Sequence, residues 1–280
     1  MRVFVTGATG YIGSAVVREL IGADHTVVGL TRSDNGATVL KEARAEVHRG
    51  TLDDLDSLRL GAASADGVIH LAFVHNFSDF AAALATDLRA VQTMGAALEG
   101  TGKPFVTTAH LNGEASENAV LALTGVRASV VSLSPSVHGE GDKGFVPMLI
   151  NVARAKGVSA YIGDGSNRWP AIHRLDAAHL FRLALEVAPA GSRLYGAGDE
   201  GVPFRDIAGV IGRHLNLPVV SISREEANAH FGPFLSNVAA TDISARLDMP
   251  RLSAQTRQLL GWQPIHPRLL PDIEEHYFNN

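Results

Sequence analysis

The stretch VTGATGYIGS at residues 5–14 constrains the fold more than any other part of the chain. An apolar run, RVFVT at 2–6, leads into it. YIGSAVVRELIGA at 11–23 follows, with Ile12, Val16, Val17 and Leu20 at helical spacing. A strand that turns into a helix through Gly7, Gly10 and Gly13 uses glycine for three separate reasons. One lets the turn tighten, one lets backbone come close to another group, and one lets helix pack on strand. The helix start beyond such a turn offers free N–H groups and a partial positive charge.

The alternation continues. HTVVGLT (25–31), EVHRG (46–50), DGVIHLAF (66–73), PFVTT (104–108) and RASVVSLS (127–134) read as strands. GATVLKEARA (36–45), DFAAALATDLRAVQTMGAALEG (79–100) and ASENAVLALTG (115–125) read as helices between them. Strands separated by helix-length segments imply right-handed crossovers, so the expected fold is α/β, a Rossmann-type doubly wound parallel sheet. SPSVHGEGDKGFVP (134–147) and IGDGSNRWP (162–170) are rich in Gly, Pro and polar residues and read as loops. DAAHLFRLALEVA (176–188), FRDIAGVIGRHL (204–215) and SAQTRQLLG (253–261) read as further helices. The expected organisation is a dinucleotide-type domain over 1–138 with 171–190, and a smaller substrate-binding cap from 139–170 and 191–280.

Composition excludes several classes. The net charge is -5, with 24 basic against 29 acidic residues and no basic block, which recommends neither nucleic acid nor an anionic membrane. With no cysteine there is no disulfide, thiolate nucleophile or cysteine metal site. No HExxH occurs, and His173 and His179, six apart, do not share a helix face, so no metal is expected. No GxSxG elbow for a hydrolase is present. The first residues lack a signal peptide's apolar core, and no run of about 18 apolar residues suggests a membrane span. The expectation is a soluble cytoplasmic protein, monomer or homodimer, acting on a small molecule.

At the first strand of a βαβ chain, the glycine turn points to a dinucleotide whose pyrophosphate lies over the helix N-terminus. An acidic residue ending the second strand would hold the ribose hydroxyls and repel a 2′-phosphate. This chain has GLTRSD there, with Arg32 and Ser33 just past the strand. A guanidinium pairs with a 2′-phosphate, so NADP is expected over NAD. Asp34 is close enough to serve a ribose, which keeps NAD open.

These residues resemble the extended or atypical branch of the short-chain dehydrogenase/reductase superfamily, the NAD-dependent epimerase/dehydratase family, over nearly the whole chain. VTGATGYIG is similar to its cofactor loop, which assigns Gly7, Thr9, Gly10, Tyr11, Ile12 and Gly13 to the cofactor. TLDDLDSL (51–58) resembles the segment where Asp53 would meet the adenine amino group and Leu52 its ring. VIHLAF (68–73) implies Leu71 and Ala72 beside the ribose and pyrophosphate, and SLSPSVHGEGD (132–142) implies Pro135 and Val137 at the nicotinamide. Thr107, ending the fifth strand, completes the cofactor set. RWPAIHRLDAAHLFRLALE (168–186) resembles the cap-hinge motif, with His173 and Asp176, and LGWQP (260–264) the C-terminal signature.

The resemblance implies a tyrosine, a lysine four residues later, and a serine or threonine. Four places beyond Tyr11, Tyr161 and Tyr195 stand Ala15, Gly165 and Asp199, and Tyr277 is too near the end, so no YxxxK exists. The motif should stand in VTTAHLNGEASENAV (106–120). With Glu117 in the lysine's place, Gly113 falls in the tyrosine's. His110 is the first choice as acid or base, Thr108 as hydrogen-bond donor, and Glu117 or Glu114 as the group orienting His110. His75, Asn112, His138, Arg168 and Trp169 are expected toward substrate, although Asn112 also fits a turn and Trp169 a core. Three readings stay open. One is an oxidoreductase on a small carbonyl or alcohol. A second is a non-redox isomerase, lyase or cyclase, and a third a non-catalytic nucleotide sensor.

Overall fold

The structure is a computed structural model, and it describes residues 1–74 and 79–278. The chain begins β1 (Arg2–Thr6), α1 (Tyr11–Gly22), β2 (Thr26–Thr31), α2 (Asp34–Glu42), β3 (Glu46–Arg49), α3 (Leu55–Ala63) and β4 (Gly67–His70). It continues α4 (Phe80–Leu98), β5 (Pro104–Thr108), α5 (Glu114–Leu121), β6 (Arg127–Leu133), β7 (Ser136–His138), α6 (Phe145–Lys156) and β8 (Ser159–Ile162). Then come β9 (Arg168–His173), α7 (Arg174–Val187), β10 (Ser192–Gly196), β11 (Asp199–Pro203), α8 (Phe204–Leu215) and β12 (Val219–Ile222). The chain ends with α9 (Arg224–Ala239), α10 (Ile243–Leu247), α11 (Met249–Leu260) and α12 (Leu269–His276).

The chain forms two units. The first holds Met1–Ser132, Ala177–Leu194 and Thr256–Trp262, and the second holds the rest. The division follows Ser132, so residues 133–138 and 171–176, expected with the first domain, belong to the second unit, while 191–194 and 256–262, expected with the cap, belong to the first.

Among the described residues, seven strands form one sheet in the order β10-β6-β5-β4-β1-β2-β3. From β3 to β6 neighbouring strands are parallel. β2 and β3 build outward on one side of β1 and β4 to β6 on the other, so the order reverses between β1 and β4. On one face Phe4, Val68 and Phe105 bury against Leu58 of α3 and Val91 and Met94 of α4. Their neighbours Val3, Val5, Ile69 and Val106 bury on the other face, as period-2 alternation requires. α3 was not foreseen. Its start is fixed by Asp54, whose carboxylate accepts from Ser57 N at 3.0 Å.

In the second unit β9 lies between β11 and β7, and β8 pairs with β12. The segments 134–147 and 162–170 are therefore not simple loops: they supply β7, the start of β9 and the start of α6. Pro170 hid β9, since a proline inside a run argues against a central strand. It is tolerated because the β9–β11 register shifts between Trp169↔Val202 and Ala171↔Asp199. Trp169 stacks on Phe145 at 3.7 Å in this unit's core.

Among the described residues no helix is long and apolar enough to cross a membrane.

Candidate active site

The glycine turn is built as its residue types require. Gly7 has φ +67°, and a Cβ there would lie 2.7 Å from Ala72 N, so the turn is pressed against the end of β4. A Cβ on Gly13 would meet the carbonyl of Gly7, its carbon at 2.8 Å, so α1 rests directly on the turn. Gly10 differs: a Cβ would find only Gly7 O, at 3.2 Å. Gly10 is also the N-cap of α1, in extended backbone and with no side-chain cap. The N–H groups of α1 thus face a cradle kept open at Gly10, a fit for a pyrophosphate.

At the end of β2, Arg32 is exposed. The Ser33 hydroxyl accepts from Gly36 N at 3.0 Å and caps α2. Asp34 lies 2.5 Å from Arg49 in an exposed ion pair. Beyond β3, Asp53 is exposed and lies 3.6 Å from Arg89, and Leu52 is half-buried.

Beside the cradle lies a buried polar network. Thr6 ends β1, His70 ends β4 and Thr107 lies on β5, in register across three neighbouring strands. All three are buried on the face that carries α4. Thr6 Oγ1 is 2.6 Å from His70 Nδ1, and it accepts from Leu71 N and Ala72 N, each at 3.2 Å. His70 Nε2 is 3.0 Å from Asp87 Oδ1 on α4. The same carboxylate oxygen lies 3.8 Å from His110 Nε2. Asp87 is 1% exposed. Burial pushes its carboxyl up, but the His70 hydrogen bond and the neighbouring His70, Ser116 and His110 outweigh that and hold it below the usual carboxylate range.

His110 follows β5 with its side chain 16% exposed, and its ring stacks on Phe73 at 4.2 Å. The carboxylate beside it is Asp87. Glu117, expected in that place, is instead ion-paired with Arg193 of β10. The Thr108 hydroxyl donates to Val131 O at 3.3 Å. Asn112 is exposed at φ 57° in a turn closed by Gly113 N donating to His110 O, a left-handed site that asparagine tolerates. His75 lies outside the described residues.

The remaining expected residues belong to the second unit. Trp169 is 1% exposed and is a core side chain, not a pocket wall, while Arg168 is exposed. His138 is buried with Nδ1 2.7 Å from Asp272 Oδ2, so it too is a core residue. Pro135 is exposed and Val137 half-buried. None of the four tyrosines lies between β5 and β6. Tyr11 opens α1, Tyr161 is in β8, Tyr195 in β10, and the Tyr277 hydroxyl donates to Asp142 at 2.7 Å. Among the described residues no group of three His, Asp or Glu is placed to hold a metal.

The sequence profile of the NAD dependent epimerase/dehydratase family matches residues 3–107. An uncharacterized protein of Schizosaccharomyces pombe is 48% identical over 302 residues, 99% of this chain and 100% of that one. The chain belongs to the NAD dependent epimerase/dehydratase family. A family-like likeness also reaches a 2-alkyl-3-oxoalkanoate reductase of Stenotrophomonas maltophilia, 25% identical over 79% of this chain and 77% of that one. Among solved structures, the dTDP-glucose 4,6-dehydratase DesIV of Streptomyces venezuelae, with NAD and DAU bound, shares the fold. Its TM-score is 0.73 at 16% identity, covering 98% of this chain and 95% of that one.

On this family scaffold, sequence reasoning missed Thr6 and Asp87. A signal for Asp87 existed. It is a charge on the apolar stripe of α4, four residues after Ala83 and three before Ala90, both buried.

Proposed function

We propose that this chain binds a nicotinamide dinucleotide at the carboxyl end of its seven-stranded sheet and uses it to reduce a small carbonyl compound. The observation that carries this reading is the open cradle over α1, next to the reversal of strand order between β1 and β4. Ligands of open α/β sheets collect at such a crevice. Gly7, Gly10 and Gly13 would hold the pyrophosphate, Arg32 a 2′-phosphate, and NADPH is preferred over NADH. Bound and reduced, the nicotinamide supplies a hydride to the carbonyl carbon. The chain's own part is to give the carbonyl oxygen a proton, and His110 beside Asp87 is the group suited to it. The kinship with a reductase of oxo acids supports reduction as the chemistry.

The test follows NADPH absorbance with a panel of small aldehydes and ketones. Consumption is expected, with turnover falling about 10²–10⁴-fold in His110→Gln, the range for loss of a general acid. Bound NADPH that no carbonyl oxidises, or turnover indifferent to His110→Gln, overturns the reading.

A further inference from the structure

We infer that Arg49, at the carboxyl end of β3, is a second guanidinium for the cofactor's 2′-phosphate, and that Asp34 is a resident counter-ion which that phosphate displaces. This rests on the reading of NADPH as the preferred cofactor.

β1, β2 and β3 are parallel neighbours, so their carboxyl ends lie side by side at one end of the sheet. The glycine cradle follows β1, and Arg32 follows β2. Arg49 is the last residue of β3 and stands in register with Thr31, the last residue of β2. Neighbouring strands are about 4.8 Å apart. Arg32 and Arg49 therefore leave the sheet from adjacent strand ends, close enough for two side chains of this length to meet one phosphate.

The Arg49 side chain has a definite direction. Residues in register on parallel strands lie on the same face, and Thr31 faces the start of α2. Its Oγ1 accepts from Ser33 N at 3.4 Å, and a Cβ on Gly36 would collide with it. Arg49 runs to the same place, where its Nη2 donates to Asp34 Oδ1 at 2.5 Å. The other acids of this region are held elsewhere. The Asp54 carboxylate caps α3 by accepting from Ser57 N, and Asp53 lies 3.6 Å from Arg89.

The pair of Arg49 with Asp34 is weakly held. The Asp34 side chain is fully exposed and that of Arg49 is 49% exposed. An exposed ion pair shifts an equilibrium by about fivefold at most. A phosphate offers a guanidinium two parallel N–H···O bonds, and a hydrogen bond to a charged group contributes about tenfold or more. The phosphate therefore takes Arg49 from Asp34. The freed carboxylate has the same sign as the phosphate and opposes it. Arg32 and Arg49 thus select a phosphorylated ribose, and Asp34 limits how strongly they do so.

The experiment is calorimetric titration of the full chain with NADPH, NADH, adenosine 2′,5′-bisphosphate and adenosine 5′-monophosphate. Each pair differs by the 2′-phosphate alone. Arg49→Gln is expected to weaken NADPH and the bisphosphate by about tenfold or more, and to change NADH and the monophosphate by less than about twofold. Asp34→Asn is expected to act in the opposite direction, tightening NADPH by about two- to fivefold and not tightening NADH. Both substitutions change exposed side chains with little change of size at Asp34, so the variants fold. If Arg32→Ala weakens NADPH and Arg49→Gln does not, this inference is overturned and the cofactor reading stands. An Arg49→Gln that weakens NADH as much as NADPH overturns it as well, and so does an Asp34→Asn that binds NADPH no more tightly than the wild type. A wild type that binds NADH as tightly as NADPH, and the monophosphate as tightly as the bisphosphate, overturns both.

Discussion

Gly10 and Gly13 stand three residues apart in one turn, and their replacement by alanine separates two roles. At Gly13 the new Cβ lands on the Gly7 carbonyl, with the carbon only 2.8 Å away. Carbon atoms in ordinary contact are about 3.5 Å apart, and the Gly7 oxygen lies nearer than its carbon, so the turn has to move by more than about 0.7 Å. It cannot move freely, because Gly7 is backed by Ala72 N, 2.7 Å from where a Cβ on Gly7 would lie. Overpacking of this kind costs about 1–3 kcal/mol, against at most about 1 kcal/mol regained from alanine's helix propensity. A clash this close against backbone falls at the upper end of that range, so Gly13→Ala is expected to be less stable by about 2 kcal/mol or more. At Gly10 the Cβ meets only Gly7 O at 3.2 Å, and φ -75° suits any residue. Gly10→Ala is expected to unfold close to the wild type but to lose NADPH affinity by about tenfold or more, since the methyl fills the approach to the pyrophosphate. Thermal unfolding and calorimetric titration measure the two quantities. A Gly13→Ala that unfolds with the wild type refutes the packing argument. A Gly10→Ala of full affinity refutes the cradle.

Arg32 is exposed past β2, so Arg32→Ala is expected to weaken NADPH by about 1–3 kcal/mol and leave NADH unchanged, as read by titration of both; equal affinities before and after defeat it. Burial, with His138 and His266 adding to it and Asp272 and Asp176 opposing, pushes His173 down to about 4. Between that value and about 6.5 the unfolded chain takes up a proton that folded His173 refuses, so stability present above this window is lost as pH falls through it. The slope of unfolding midpoint against pH from 7 to 4.5 is expected to be shallower in His173→Gln, with His230, lowered mainly by burial, supplying part of what remains. Equal slopes refute the assignment.

Most elements of the first unit, α3 and β10 excepted, were legible because their constraints are local. Gly7, Gly10 and Gly13 fix a turn within seven residues, and each parallel strand shows its own apolar run. The arrangement of His110 was not. Its partner comes from α4, 23 residues earlier, and only the docking of α4 on β4 and β5 brings Asp87 beside it. Glu114 and Glu117 were nearer in sequence, but Glu117 turns to Arg193, 76 residues on. In the second unit, the Gly- and Pro-rich composition of 134–147 and 162–170 masked β7 and β9. Their strand character lies in pairing with each other and with β11, which no local pattern records.

The chain leaves the first unit after Ser132 and returns only at Ala177. β10, the neighbour of β6, is not made until residues 192–196. During synthesis, then, the sheet is complete from β3 to β6 while one side of β6 has no neighbouring strand. That edge stays open for about 60 residues, a few seconds to over ten seconds of translation at ordinary rates. An unpaired edge is where strands of other chains add. The growing chain is most exposed to mispairing in this interval, and the short edge strand β10 brings it to an end.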